Sequence, residues 1–324
     1  MKYLLKKIYA KLFFKQFTIG IMKEDIRQII LNKKKDYSVK WLPLENYKDS
    51  VADPFLFVDE NGEVNILAEI FSSGEYDGKI GLIKYDEKKG FSSPEIVLDE
   101  GKHLSYPCIH RDAGKMYVLQ TELDGPVFIY EYDKEKKKLR NKTKICDTPL
   151  IDATILEKNN KYWLFGTIVE NGKSDNLYIY YADNLAGPYK PHLNNPVKNT
   201  ANGSRSAGNF IKLDGEIYRP TQNCEKYYGE SITINKVIKL NEREYEYKEH
   251  MVIKANEKDE FNFGVHTINV SGKYIIIDAQ KGHFQPVMQI VRAFKRMFNR
   301  IETKAATLVY FIHDNNIDEI AKGA

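Results

Sequence analysis

Five times along the chain an apolar stretch runs into a short polar turn and out into a second apolar or aromatic stretch. The five segments are Phe55–Glu69, Cys108–Glu122, Thr154–Thr167, Asn209–Gln222 and Thr267–Gln280. Their turns carry Gly62, Gly114, Asn160, Gly215 and Gly272, at intervals of 52, 46, 55 and 57 residues. Gly and Asn tolerate the positive φ of tight hairpin turns, and the flanks, such as Lys115-Met116-Tyr117-Val118-Leu119, are rich in β-branched and aromatic residues. The pattern predicts five β-hairpins. A further strand follows several of them, as at Lys79–Tyr85 and Leu177–Ala182, so each repeat holds three or four strands. A repeat of that size is a propeller blade, and five cover residues 45–280.

The residues just before each hairpin argue for a propeller over a β-sandwich, which has no reason to repeat the same starts. They are Ala52-Asp53-Pro54-Phe55, Ser105-Tyr106-Pro107-Cys108, Ile151-Asp152-Ala153-Thr154, Arg205-Ser206-Ala207-Gly208 and Gly264-Val265-His266-Thr267. Blade starts converge on the axis. Asp53, Tyr106, Asp152, Arg205 and His266 are therefore expected to ring one central funnel. Polar groups are poor core formers, since an unpaired buried carboxylate is costly, so their recurrence points to function.

The two ends read differently. Residues 2–14 place Leu4, Leu5, Ile8, Tyr9, Leu12 and Phe13 at helical spacing, and residues 286–303 do the same with Ile290, Val291, Phe294, Met297, Phe298 and Ile301. Lysines and arginines occupy the other faces. The expectation is an all-β, five-bladed propeller over 45–280 with short basic amphipathic helical extensions, 1–44 and 281–324.

Charge sharpens that division. The formal net charge is +4, but residues 1–23 contribute +6 and residues 281–304 contribute +5, leaving −7 for the body. An acidic body argues against a nucleic-acid groove, while residues 1–15 and 286–304 suit an anionic membrane surface. Cys108, Cys146 and Cys224 are odd in number and widely spaced, which gives neither a disulfide framework nor a zinc site. No metal or cofactor motif is present: no Walker loop, no D-x-D, no G-x-G-x-x-G after a strand. Lysines interrupt every candidate signal-peptide core near the start, and no apolar run approaches a membrane span. The expected location is the cytoplasm, peripheral on the inner face of the plasma membrane.

Asp53-Pro54-Phe55 and Ile151-Asp152-Ala153 resemble the general-base and pKa-modulating aspartate motifs of the family 43 five-bladed propeller glycosidases. A closer resemblance runs through His103-Leu104-Ser105-Tyr106-Pro107, Tyr162-Trp163-Leu164-Phe165-Gly166-Thr167, Arg205-Ser206-Ala207-Gly208, Tyr218-Arg219-Pro220-Thr221-Gln222 and Tyr228-Gly229-Glu230. These motifs are similar to the N-terminal propeller of plant glucosamine inositolphosphorylceramide transferases and its bacterial relatives, in which a separate domain carries the transferase. The resemblance covers residues 40–280 and implies carbohydrate chemistry in cell-surface polysaccharide or glycolipid synthesis.

One departure redirects the chemistry. Family 43 hydrolases place a glutamic acid at the start of the fourth blade, where this chain has Arg205. A guanidinium cannot protonate a glycosidic oxygen, but it can grip phosphate. The expectation is therefore glycosyl transfer from a sugar phosphate or nucleotide sugar to a glycan or glycolipid acceptor. Asp53 would be the base or acceptor-orienting group, Asp152 its electrostatic partner and Arg205 the phosphate clamp. Tyr106, His103, Glu69, Glu122, Gln222, Glu230 and His266 are candidate substrate contacts. Two alternatives remain open: a glycoside hydrolase whose acid is another Glu, and a non-catalytic carbohydrate-binding module that assists a partner transferase.

Overall fold

The structure, a computed structural model, describes residues 12–34, 37–46, 49–72, 77–121, 125–287. The chain divides into a propeller unit, Gln16–Lys281, and a unit formed from the two ends, of which residues 12–15 and 282–287 are described. In the end unit the Phe13 and Phe284 rings lie 5.3 Å apart and the Gln285 N–H donates to the Leu12 carbonyl.

The propeller is five antiparallel sheets, each beginning at a predicted blade start. The innermost strands of the first four blades are Asp49–Val58, Cys108–Asp112, Leu150–Lys158 and Asn202–Ser206, and each sheet then steps outward. Alternate side chains of every strand face a neighbouring blade, so the core lies between sheets; Phe55, Leu67, Ile80, Leu119 and Phe165 are among its fully buried side chains.

The fifth blade corrects the expected boundaries. Its inner hairpin is Gly264–Ser271 with Tyr274–Phe284, but its third strand is Phe13–Lys23 and its fourth is Lys40–Trp41. The extension expected over 1–44 is thus largely part of the propeller, and Phe13 lies on a strand, not on the helix its spacing suggested. The reason is register. Phe17, Ile19 and Ile21 alternate with Thr18 and Gly20 at the period of a strand, and pairing on both sides removes an exposed edge. Between these strands a one-turn helix, Ile26–Ile30, is capped by Asp25, whose carboxylate accepts from the Arg27 N–H at 2.8 Å, and it buries Ile26, Ile29 and Ile30. The segments expected as amphipathic helices otherwise fall outside the described residues, at 1–11 and 288–324. Among the described residues no helix is long and apolar enough to cross a membrane.

Candidate functional site

The innermost strands do not enter the axis as regular ladders. Pairing with the second strand shifts register between Ala52 and Phe55, between Ile151 and Thr154, between Asn202 and Ser206, and between Val265 and Ile268. In the first three blades the turning residue is left-handed, with φ of 50° at Asp53, 50° at Tyr106 and 51° at Asp152. Asp accepts such a φ more readily than most residues, whereas Tyr rarely does. Each bulge re-aims one polar side chain from the core toward the axis.

The structure gathers the five predicted blade-start residues at one end of the propeller but not around one space. A cavity of ≈ 190 Å³ is lined by His103, Tyr106, Asp152, Lys173 and Arg205, with Leu119, Ile151, Ala153 and Val169 as its apolar part. That is small beside the roughly 300–1,000 Å³ of drug-sized pockets. Asp53 and His266 lie buried beside it and do not line it.

Arg205 and Asp152 form the cavity's charged wall. The Arg205 Nε donates to Asp152 Oδ2 at 2.5 Å and Nη2 to Oδ1 at 3.2 Å, while Nη1 donates to the Lys173 carbonyl at 3.1 Å. Its guanidinium carbon stands 5.0 Å from the centre of the Tyr228 ring. Burial works against the cation, but Asp152 more than offsets it and keeps the guanidinium firmly charged. Gln222, fully buried, donates to Asp152 Oδ2 at 3.1 Å and to the Ser206 carbonyl at 3.0 Å. The fork expected to hold phosphate is therefore turned mainly on Asp152; two of its five N–H groups remain for a ligand.

A second cluster sits behind this wall. Asp278, which sequence reasoning missed, is fully buried and accepts the backbone N–H groups of Asp53 at 2.9 Å, His266 at 3.1 Å and Thr267 at 2.8 Å. It thus pins the bulges of the first and fifth blades together. His266 stands between two carboxylates, with Nδ1 2.6 Å from Asp278 and Nε2 3.5 Å from Asp53. Burial disfavours its charge, yet Asp278 and Asp53 together raise its pKa. Asp53 also accepts from the Thr267 hydroxyl at 2.9 Å, and burial pushes its carboxyl up to about 6 against the pull of His266. Asp53, His266 and Asp278 offer ligand atoms within 4.8 Å of one another, a spacing that suits a metal ion; the imidazole, with its raised pKa, supplies positive charge at the same point.

The other candidates are scattered. Tyr106 is a cross-brace: its hydroxyl accepts the Gly208 N–H at 2.7 Å and meets the Thr154 hydroxyl at 3.1 Å, joining three blades. Glu69 is buried, 3.6 Å from His103 Nε2, and His103 Nδ1 accepts the Gly78 N–H at 3.2 Å. Glu230 does not line the cavity; it pairs with Lys226 in the loop after the fourth blade's second strand. Glu122 lies outside the described residues. Two contributors were missed besides Asp278. Tyr228 is the neighbour of the Glu230 that was chosen, and Lys173 stands in a polar turn with nothing to distinguish it. A carboxylate closing Ile275-Ile276-Ile277 was the one readable signal, because burial there demands partners.

Comparison with known proteins gives the family of the chain. The family model described as glucosamine inositolphosphorylceramide transferase 1, N-terminal, matches residues 44–276. Glucosamine inositolphosphorylceramide transferase 1 of Arabidopsis thaliana is 32% identical over 202 residues, 60% of this chain and 26% of that protein. The protein of the same name from Oryza sativa subsp. japonica is 29% identical over 202 residues, 60% of this chain and 27% of its own length. The chain thus spans about a quarter of the curated relatives it matches. Among solved structures, a thermostable family-43 glycoside hydrolase superposes with a TM-score of 0.50 at 14% identity, over 68% of this chain and 83% of that one. A family 43 β-xylosidase/α-arabinofuranosidase from a compost microbial metagenome gives 0.50 at 13% identity, over 72% and 90%. Those two likenesses speak to the five-bladed fold alone. With the family match running from the first blade into the last hairpin, the chain belongs to the family of glucosamine inositolphosphorylceramide transferase 1 N-terminal domains.

Proposed function

We propose that the cavity transfers a glycosyl group from a phosphate-bearing sugar donor to a glycan or glycolipid acceptor, in the synthesis of cell-surface polysaccharide or glycolipid. One observation carries the reading: among the described residues the cavity is walled by Arg205, Lys173 and His103 against a single carboxylate, Asp152, which Arg205 already neutralises. A phosphate leaving group needs its negative charge stabilised far more than it needs a proton. Lys173 is exposed and supplies a second positive charge, while Asp152 and Gln222 hold Arg205 so that its remaining N–H groups meet the phosphate without reorganising. The basic segments 1–15 and 286–304 support a peripheral site on the inner, anionic face of the plasma membrane, where a lipid-linked acceptor would be met.

The test is calorimetric titration of the whole chain with sugar phosphates, nucleotide sugars and neutral oligosaccharides. A charge-assisted bond is worth about 1.5–3 kcal/mol, so Lys173→Ala should weaken phosphate-bearing ligands about 10- to 100-fold and leave neutral ones unchanged. Equal losses for both classes would overturn phosphate recognition and favour a carbohydrate-binding module.

A further inference from the structure

The fourth blade brings Arg205 to the site through a gap in its own ladder. Asn202–Ser206 pairs with Glu216–Asn223 at Asn202 with Asn223 and at Ser206 with Thr221, so Gly203, Ser204 and Arg205 together face Gln222 alone. Three residues against one leave backbone carbonyls without a rung, and buried carbonyls need donors. Side chains of the second strand supply them. Arg219 Nη1 donates to the Gly203 carbonyl at 3.1 Å, and Nη2 donates to the Ser204 carbonyl at 2.6 Å and the Ser206 hydroxyl at 3.3 Å. Arg219 is the largest of the fully buried side chains, and among the described residues no carboxylate pairs with it. Its guanidinium carbon lies 5.4 Å from the centre of the Phe165 ring, which backs it from the third blade. A buried cation without a counter-ion is costly, and an apolar side chain would fill the same space, so packing alone does not account for it. What the fork holds is the frame of one residue, since Gly203, Ser204 and Ser206 flank Arg205 on both sides.

We propose that Arg219 is the positioning residue of this site: its fork stands in for the missing rungs, and by fixing the backbone around Arg205 it aims that guanidinium at Asp152 and at a donor phosphate in the cavity. The phosphate half rests on the transfer reading above; the aim of Arg205 does not. A left-handed φ of 87° at Gly203 opens the bulge, and Arg219 then spans it from the Gly203 carbonyl to the Ser206 hydroxyl. Beyond the bulge, Arg205 meets Asp152 through Nε at 2.5 Å and Nη2 at 3.2 Å, a contact that tolerates little turning of the backbone beneath it. A planar fork suits the span because its N–H groups diverge in fixed directions. A lysine keeps the charge and the stem but places one ammonium, which cannot reach both carbonyls and the hydroxyl together. With Lys at 219 the bulge is released and Arg205 loses its line to Asp152.

The first measurement needs no ligand. In protein labelled with 15N-arginine, the Nε–H signal lost in Arg205→Lys identifies Arg205, whose bond to Asp152 sets it apart from exposed arginines and slows its exchange with water. In Arg219→Lys, folded as judged by circular dichroism, that signal should join the exposed arginines and exchange at least about 10-fold faster. An unmoved signal overturns the proposal, because a residue that only stabilised the blade would leave Arg205 on Asp152. Should the variant not fold, the wild type decides. In urea below the unfolding midpoint the Arg205 Nε–H should exchange at least as fast as that of Arg219, since it cannot stay held once Arg219 lets go; faster exchange at Arg219 overturns the proposal. The second measurement repeats the calorimetric titration. Arg219→Lys should weaken sugar phosphates about 10-fold and leave neutral oligosaccharides unchanged. Equal losses, or no loss, would overturn the phosphate half. A wild type that binds no phosphate-bearing ligand overturns the transfer reading, while the Arg205 signal still decides for Arg219.

Discussion

The Arg205–Asp152 pair offers the sharpest test of how this site is built. Asp152 keeps only 3% of its side-chain surface and Arg205 15%, so neither charge can fall back on bulk water. Arg205→Ala would leave a buried carboxylate with Gln222 as its remaining donor, and breaking a buried pair from one side costs about 3–5 kcal/mol. At roughly 2–4 °C per kcal/mol for a domain of this class, the expected fall in Tm is of order 10 °C. Arg205→Ala with Asp152→Asn removes both charges and keeps an oxygen for Gln222, so it should recover most of that loss, giving a coupling of at least about 2 kcal/mol. Urea unfolding of wild type, both single variants and the double variant at pH 7 completes the cycle. A coupling below about 0.5 kcal/mol would refute the reasoning, because it would mean that Asp152 is solvated without its partner.

Other outcomes follow from the same geometry. The Asp53 carboxyl is raised from 3.8 to about 6, so its contribution to stability is full below pH ~4 and is lost as pH rises to ~6, by about 3 kcal/mol; Asp53→Asn should flatten that limb of a urea-unfolding pH series, and parallel curves would contradict it. Tyr106→Phe strands the Gly208 N–H and should cost about 1–3 kcal/mol in the same assay, whereas a neutral change would deny the brace. Reversing Arg292, Lys295, Arg296 and Arg300 should weaken sedimentation with anionic vesicles, and wild-type binding should fall as salt rises; binding indifferent to salt would remove the membrane role.

The repeat was legible because every hairpin had to carry its own turn residue and its own polar start, signals that survive when the rest of a blade varies. The last strand was not. Lysines at positions 11, 15 and 23 disguise Phe13–Lys23, and nothing local says that it pairs with a strand some 260 residues away. The site divided the same way. Asp53, Tyr106, Asp152, Arg205 and His266 stood at repeated positions and could be named. That Arg205 faces Asp152, and that Asp53 shares its histidine with Asp278, depends on how neighbouring blades aim their side chains at one another. Spacing within a repeat carries no information about that. Tyr106 was read as a sugar contact, yet its hydroxyl is spent on Gly208 and Thr154, partners contributed by two other blades.

Completion of the fifth blade by Phe13–Lys23 bears on how the chain is made. A strand near the beginning must wait, unpaired along one edge, until Tyr274–Phe284 has been synthesised. During that interval four blades can form, but the ring cannot lock, and the waiting strand exposes Phe17, Ile19 and Ile21 as an adhesive edge. Contacts of such sequence separation slow the final step, since the loop entropy of nearly the whole chain is lost before any pairing is gained. Ribosome-bound chains stalled short of residue 274 should therefore be protease-sensitive at their starts, and a second copy's Phe13–Lys23 would fit the open fifth blade as well as the chain's own.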